Sequence, residues 1–405
     1  MIACDAGAQA ARLARLRVAM ADEGLSAFCV RNTASIRWAT AFDGVFDEES
    51  AHALVVTPDR AVLHTDSRYA DACRRAAEGT GIEVDDARET HASAAARVVR
   101  GRIDAGDAVS SSAGDGSIAP LLLLGIEDSI SLAEFRRFEA ASSGDAGAPY
   151  GAGAGDLPGS GATLSLRETS GFVVGLRAVK DAGEIARMKA AQAITDAAFA
   201  HIVSFMRPGL TEREVQVELE DFMVRHGAEG VAFPSIVACG ANGASPHSVP
   251  GDARLEAGQC VVLDFGARAQ GYCSDMTRTV FLGEPSARMR EAYETIRRAN
   301  EQVEAALFPG VTGAEMHRLA EDVLSAGGFA GKMGHSLGHG VGIDIHEEPA
   351  LSPRNTRPLE AGSVATVEPG IYLPGEFGMR LEDFGVITPE GFTVFTQSTH
   401  EMIVL

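Results

Sequence analysis

The stretch VVLDFGARAQGYCSDMTRTV, residues 261–280, sets the tightest limit on what this chain can become. It is apolar enough for the interior of a sheet, yet it carries Asp264 and Asp275. An ionised carboxylate in a dry site is strongly unfavourable unless something pairs with it. The two β-type runs flank RAQG, and a four-residue turn over 268–271 pairs Ala267 with Tyr272 and sets Asp264 directly opposite Asp275. Residues opposed in this way have Cβ atoms about 4.5–5.5 Å apart. Alternation then puts Val262, Asp264 and Gly266 on the same face as Cys273, Asp275, Thr277 and Thr279. Two like charges so placed repel, and a divalent cation between them reverses the sign. The plainer alternative is an exposed hairpin with two solvated aspartates, and a one-residue slip would undo the geometry.

Three further segments show the same conflict. HSLGHGVGIDIHEEP, 335–349, crowds His335, His339 and His346 into one loop with Gly338, Gly340 and Gly342. Glycine lets a backbone approach a site closely. His335 and His339 stand four apart, so a helical turn would align them. A lone histidine is usually a satisfied polar residue, whereas three so close point to a site. Glu368 interrupts a β-type run in VATVEPG, and Arg380 and Glu382 alternate with apolar neighbours in MRLEDFGVI. A single buried Glu is more often salt-bridged than metal-bound, and Arg380–Glu382 is an available pair. Taken together, Asp264, Asp275, His339, Glu368 and Glu382 are five candidate ligands in apolar or Gly-rich surroundings. Four carboxylates and one neutral imidazole bring four negative charges, which two divalent cations balance. Oxygen-rich ligation with one nitrogen suits Mn²⁺ foremost, with Co²⁺, Zn²⁺ or Fe²⁺ as alternatives. Two such ions about 3.5–4 Å apart serve hydrolysis by activating a water.

The rest of the chain frames this site. At 405 residues two domains are expected. The net charge of −21 argues against a nucleic-acid partner or an anionic membrane surface. No apolar stretch is long enough to span a bilayer. The N-terminus lacks a basic start followed by an apolar run, so no secretion signal is expected. Six scattered cysteines without a CxxC read as buried thiols in a reducing cytoplasm. The first part alternates helical and β-type patterns: an Ala-rich helix with Leu13, Leu16 and Met20 on one stripe, then SAFCV, AHALVVT and AVLHT, with YADACRRAAEG and HASAAARVVRG as helices. This is a small α/β domain. The Gly-rich insert 142–163 cannot bury much and reads as a mobile linker, with the domain boundary near Ser170. Beyond it, a long helix stops at Pro208–Gly209, and a second opens with a capping box at Thr211 and Glu214. Two more helices cover about 286–307 and 312–327, among strands. Helices on one side of a largely antiparallel sheet make the class α+β, and no internal sequence repeat is apparent.

The ordered series LDFGARAQGYCSDMTRT, GHGVGIDIHEEP, VEPGIY and RLEDFGV resembles the pita-bread metallopeptidases, the family of Xaa-Pro aminopeptidases, prolidases and methionine aminopeptidases. LRAVKDAGEIARMKAA resembles that family's linker and first catalytic helix, and the first 170 residues resemble, more weakly, a creatinase-type N-terminal domain. The insert departs from that pattern. The resemblance implies a creatinase-type α/β domain over 1–170 and a pita-bread catalytic domain over 171–405. It implies two metal ions, with Asp264 chelating one, Asp275 and Glu382 bridging both, and His339 and Glu368 completing the other site. It makes Glu368 the general base as well. It gives His247, in GASPHSVP, and His346 contacts to the substrate, and His335 and Arg380 places in a proline-specific pocket. Phe233 and Tyr372 are candidate apolar walls. The implied activity is hydrolysis of the bond between an N-terminal residue and a following proline in small peptides, as a dipeptidase or an aminopeptidase, by a cytoplasmic homodimer.

Three alternatives stand beside this reading. A methionine aminopeptidase shares the ligands but usually lacks a large N-terminal domain and the features at His335 and Arg380. A metal-free creatinase-like hydrolase, or a binding module on the same fold, would lack an intact ligand set, and here every position is filled.

Overall fold

The computed structural model describes residues 5–47, 49–104, 121–143 and 163–405. Cys4 and residues 144–162 of the Gly-rich insert lie outside the described residues. The chain divides into two compact units between Leu176 and Arg177, a few residues beyond Ser170.

In the N-terminal unit, Asp5 caps the helix Ala6–Asp22 by accepting from the N–H groups of Gly7 and Ala8. That helix buries Leu13, Leu16 and Met20, the stripe its periodicity predicts. Six strands form one mixed sheet in the order Glu83–Asp85, Ala61–Thr65, His52–Val56, Ala27–Val30, Leu121–Glu127, Thr163–Thr169. Small residues of the helix His91–Asp104 (Ala92, Ala95, Ala96) let it pack closely on Cys29, Val55 and Ile126 of the sheet.

The C-terminal unit has four long helices, Ala182–Phe205, Glu212–Arg225, Ala287–Ala306 and Gly313–Ala326. The α+β class holds, but the strands do not form one sheet. They fall into separate small sheets, antiparallel except where Met276–Phe281 runs parallel to Ile403–Val404. A four-stranded sheet contains Cys260–Phe265 and Met276–Phe281, and a three-stranded one contains Val364–Val367 and Asp383–Thr388.

These two sheets expose a duplication. Each follows a helix pair whose second helix begins with the same turn, PGLTERE at Pro208 and PGVTGAE at Pro309, with a Thr cap and a Glu completing a capping box in both. Each is preceded by Leu-Glu-Ala-Gly, at Leu255 and at Leu359. The hydrogen bonds repeat as well: Gly209 N–H donates to Leu255 O and Gly310 N–H to Leu359 O, both at 2.8 Å. The repeat escapes sequence inspection because few residues are shared, all at turns and caps where backbone geometry admits few choices. Asp264 and Glu368 occupy equivalent places, nine residues after their respective leucines. Asp275 and Glu382 each immediately precede the return strand, which starts at Met276 in one half and Asp383 in the other.

Candidate metal centre

The opening hairpin differs from its predicted register. Ala269 pairs with Tyr272, so the turn has two residues, and the same offset continues to Phe265↔Met276 and Asp264↔Thr277. Gln270 and Gly271 both take positive φ, 51° and 76°. A turn with two left-handed residues normally announces itself with Asn or Asp before the Gly, and Gln hides it. Asp264 therefore faces Thr277, not Asp275. The shift is by two residues, so the side-chain alternation survives and both aspartates still share one face as diagonal neighbours.

Around that face the predicted ligands gather. Asp275, His339 and Glu382 offer ligand atoms that all lie within 4.8 Å of one another. His339 Nε2 is 3.5 Å from Asp275 Oδ2 and 3.4 Å from Glu368 Oε1. Asp275 and Glu382 are almost sealed from solvent, at 3% and 2% exposure. Burial pushes both carboxyls well above the usual range. The negative charges of Asp264 and Glu368 add to this at Asp275, and those of Asp275, Glu368 and Asp264 at Glu382. Burial also raises Glu368. Asp264 places one oxygen on Arg380 Nη2, and its Oδ1 is buried with no hydrogen-bond partner. Arg380 thus pairs with Asp264 rather than with Glu382, its neighbour in sequence.

The imidazole is oriented to match. His339 Nδ1 lies 3.0 Å from Gly340 O, which can only accept, so Nδ1 carries the proton. Burial lowers the His339 pKa, so the ring is neutral and Nε2 turns a lone pair toward Asp275 and Glu368. The expected helical turn from His335 to His339 is absent. Gly338–Gly340 is a strand paired with Glu347–Leu351. An added Cβ at Gly338 would come within 2.1 Å of Thr366 O, so only glycine lets this strand pack on the one leading to Glu368. Thr366 Oγ1 accepts from His339 N–H and donates to Glu368 Oε1.

This donor set fits a divalent cation. It combines converging anionic oxygens, one neutral imidazole nitrogen, and an orphaned carboxylate oxygen in a buried site. In the N-terminal unit, His64, Asp85 and Glu89 also converge within 4.8 Å. There the protein satisfies them itself. Arg97 ion-pairs both carboxylates, and His64 engages His91 at 2.7 Å and Ala87 O at 3.0 Å.

The remaining predicted residues sit close to the ligands. Arg380 Nη1 donates to Tyr372 OH at 2.7 Å. His335 Nδ1 donates to Ser336 O, so its Nε2, 3.0 Å from Tyr372 OH, accepts the phenol proton. An Arg380→Tyr372→His335 chain results, which fixes the Tyr372 hydroxyl at one end of a ring whose part as an apolar wall these bonds leave open. Phe233 is half-buried, with its ring edge beside Gly266. The His346 ring meets His339 edge to face, with centroids 4.4 Å apart. His247 is exposed on the segment after the 3₁₀ turn Gly240–Ala244, next to Pro246, whose carbonyl Arg380 Nη1 reaches at 3.5 Å.

Sequence reasoning missed the groups behind these residues. Thr277 Oγ1 donates to Glu382 Oε2 at 2.6 Å and accepts from Arg380 Nε at 3.0 Å. Arg278, fully buried, donates to Glu382 O and Thr277 O and ion-pairs Asp383 at 2.7 Å. Arg177 and Lys180 ion-pair Glu347 and so tie down the loop bearing His346. The alternation in DMTRTV gives Thr277 its place on the ligand face, as read from the sequence, and sets Arg278 behind it, but it says nothing of their partners.

Comparison with known proteins agrees with this geometry. The profile of metallopeptidase family M24 matches residues 186–389, and that of the creatinase/prolidase N-terminal domain matches residues 12–146. An uncharacterized peptidase of Bacillus subtilis, YqhT, is 34% identical over 97% of this chain and its own full length. The solved structure of an Xaa-Pro dipeptidase from Bacillus anthracis superposes with a TM-score of 0.83 at 35% identity, covering 98% of this chain and 100% of that one. The X-Pro aminopeptidase from Thermotoga maritima gives 0.77 at 32% identity, covering 97% and 100%. With its donor set, its duplicated carboxylates and both domain profiles in place, the chain belongs to metallopeptidase family M24.

Proposed function

We propose that this protein hydrolyses the bond between an N-terminal residue and a following proline, acting as an Xaa-Pro dipeptidase with longer Xaa-Pro peptides as the alternative substrate. The observation that carries the reading is the neutral His339 Nε2 facing a cluster of buried carboxylates that repel one another without a cation. The likeness to an Xaa-Pro dipeptidase and an X-Pro aminopeptidase along nearly the whole chain supports the proline preference. Asp264, Asp275, His339, Glu368 and Glu382 would hold two divalent ions. The oxygen-rich set favours Mn²⁺ over Co²⁺, Zn²⁺ or Fe²⁺. Such ions, when bound, polarise a peptide carbonyl and acidify water.

The chain's own residues do the rest. Glu368, at the solvent-facing side with 16% side-chain exposure, takes the proton of the attacking water, and Thr366 orients it. His247 and His346 donate to the substrate carbonyl as charge develops there. An Xaa-Pro bond has no amide N–H, so the site must read ring shape and the free terminus. The Arg380–Tyr372–His335 chain fixes the wall that does so. Among the described residues five cysteines are free and buried, which supports a reducing, cytoplasmic setting. The family resemblance alone supports a homodimer.

The test is Mn²⁺-loaded enzyme against Ala-Pro, Ala-Pro-Ala and Met-Ala-Ser. Turnover of Ala-Pro, abolished by EDTA and by Asp275→Ala, is expected. Cleavage of Met-Ala-Ser with Ala-Pro untouched would move the protein to the methionine aminopeptidase reading.

A further inference from the structure

The two halves of the catalytic unit differ at one position of their shared frame. Directly after the capping threonine, the second half has Gly313 and the first has Glu212. A Cβ at Gly313 would lie 2.3 Å from Ala350 O, so backbone packs against backbone there. In the first half a carboxylate fills the space instead. Glu212 is 1% exposed, and N–H groups rather than a cation satisfy it. Its Oε1 accepts from Cys239 N–H at 2.8 Å and from Asn242 Nδ2 at 3.0 Å, and its Oε2 accepts from Gly251 N–H at 3.1 Å. The first turn of its own helix adds a favourable dipole.

Those donors sit at the two ends of one segment. Between Cys239 and Gly251 runs GANGASPHSVP, which has Asn242 near its start and carries His247 further on. The middle of the segment rests on the strand Phe377–Arg380, where a Cβ on Gly378 would lie 1.8 Å from Gly243 O. Arg380 Nη1 reaches Pro246 O at 3.5 Å. The tip has little packing of its own: His247 is exposed and Val249 is 83% exposed. The place of His247 is therefore set by the strand under Gly243, by Arg380 at Pro246, and by what grips the base of the segment, where Glu212 is joined by Arg213, which bonds Pro250 O at 3.2 Å and Gly251 O at 3.1 Å.

We propose that Glu212 is a positioning residue for His247: its carboxylate clamps both ends of segment 239–251 and so aims the imidazole at the substrate. This rests on the substrate role of His247 proposed above. The clamp needs an acceptor at both oxygens. In Glu212→Gln one oxygen can still receive Cys239 and Asn242, but the new amide NH₂ confronts the Gly251 N–H. In Glu212→Ala both ends are released. A misplacement of about 1 Å costs on the order of 100-fold in rate.

The experiment measures kcat, KM, bound manganese and melting temperature for Glu212→Gln, Glu212→Ala, His247→Ala and the double variant Glu212→Ala/His247→Ala. His247→Ala should lower kcat with manganese content unchanged. Glu212→Ala should lose about 100-fold in kcat/KM and Glu212→Gln about 10-fold, both with full manganese content. The double variant should be no worse than His247→Ala within about twofold, because both changes remove one function. If Glu212→Ala does not fold, the near-isosteric Glu212→Gln, alone and with His247→Ala, decides between the same outcomes. Wild-type kinetics in the Glu212 variants beside an impaired His247→Ala would overturn the proposal, as would losses that multiply in the double variant. An unimpaired His247→Ala would instead remove the substrate role of His247, whatever Glu212 does.

Discussion

Replacing Asp275 by Asn should stabilise the metal-free protein and abolish the further stabilisation that Mn²⁺ gives wild type. Asp275 and Glu382 offer oxygens within 4.8 Å of each other. Two unit charges at that spacing repel by about 3.5 kcal/mol at an effective dielectric of about 20. Asp264, its diagonal neighbour across the hairpin at about 7–8 Å, adds about 2 kcal/mol on the same scale. The protein can escape the repulsion by keeping a proton on Asp275, whose carboxyl burial already pushes well up. Holding that proton at pH 7 on a group of ordinary pKa near 3.8 costs at most about 4 kcal/mol. Protonation is the cheaper route, so at most about 4 kcal/mol is stored in the metal-free site. Asn removes the charge and keeps the acceptor for the Met276 N–H. For a unit of this size the gain corresponds to about 5–10 °C in melting temperature. Excess Mn²⁺ should then raise wild type by about 2.7 kcal/mol at 100 times its Kd and leave the variant unmoved. Scanning fluorimetry in EDTA and in Mn²⁺ reads both arms, and peptidase activity should be absent in the variant. An EDTA melting temperature at or below that of wild type would refute the stored repulsion. A full Mn²⁺ shift in the variant would refute the ligand assignment.

Two other perturbations probe the surroundings of the site and the N-terminal unit. Tyr372→Phe removes the hydroxyl between Arg380 and His335, so kcat/KM for Ala-Pro should fall about 10-fold, or about 1.4 kcal/mol, with manganese content unchanged; a wild-type value would show that the chain does not shape the pocket. In the N-terminal unit, burial lowers His52 to about 4 and His91 to about 3, and Arg31, His64 and His52 add to the effect at His91 while Asp66 opposes it. The unfolded imidazoles take up protons near 6.5, before the folded ones. Their contribution to stability is therefore complete above pH 6.5 and is lost as pH falls toward 4. His91→Gln, which can still donate to His64, should flatten the acid decline in melting temperature between pH 7 and 4.5; parallel curves for variant and wild type would contradict this.

Much of the candidate site was legible because carboxylates carried into apolar runs leave a strong mark on sequence. A carboxylate in an apolar run is costly, so Asp264, Asp275, Glu368 and Glu382 stand out against their neighbours, and the glycines around His339 mark a close backbone approach. Helix limits were legible too, because capping boxes are local: Thr211 with Glu214 needs nothing beyond its own turn. The hairpin register was not, because it turned on whether Gln270 would accept a left-handed conformation, which the surrounding fold enforces.

Two properties follow from the residues alone: which groups carry charge into the interior, and the two-residue alternation that keeps Asp264 and Asp275 on one face. Packing chose the partner of each group. Arg380 bonds Asp264 and not its neighbour Glu382, the Tyr372 hydroxyl accepts from Arg380, and Glu212 bonds a loop that starts 27 residues further along the chain. Alternation and capping act over a few bonds, so local residues specify them. The choice among hydrogen-bond partners depends on which distant strands are brought within about 3 Å, and only the packed fold sets that distance.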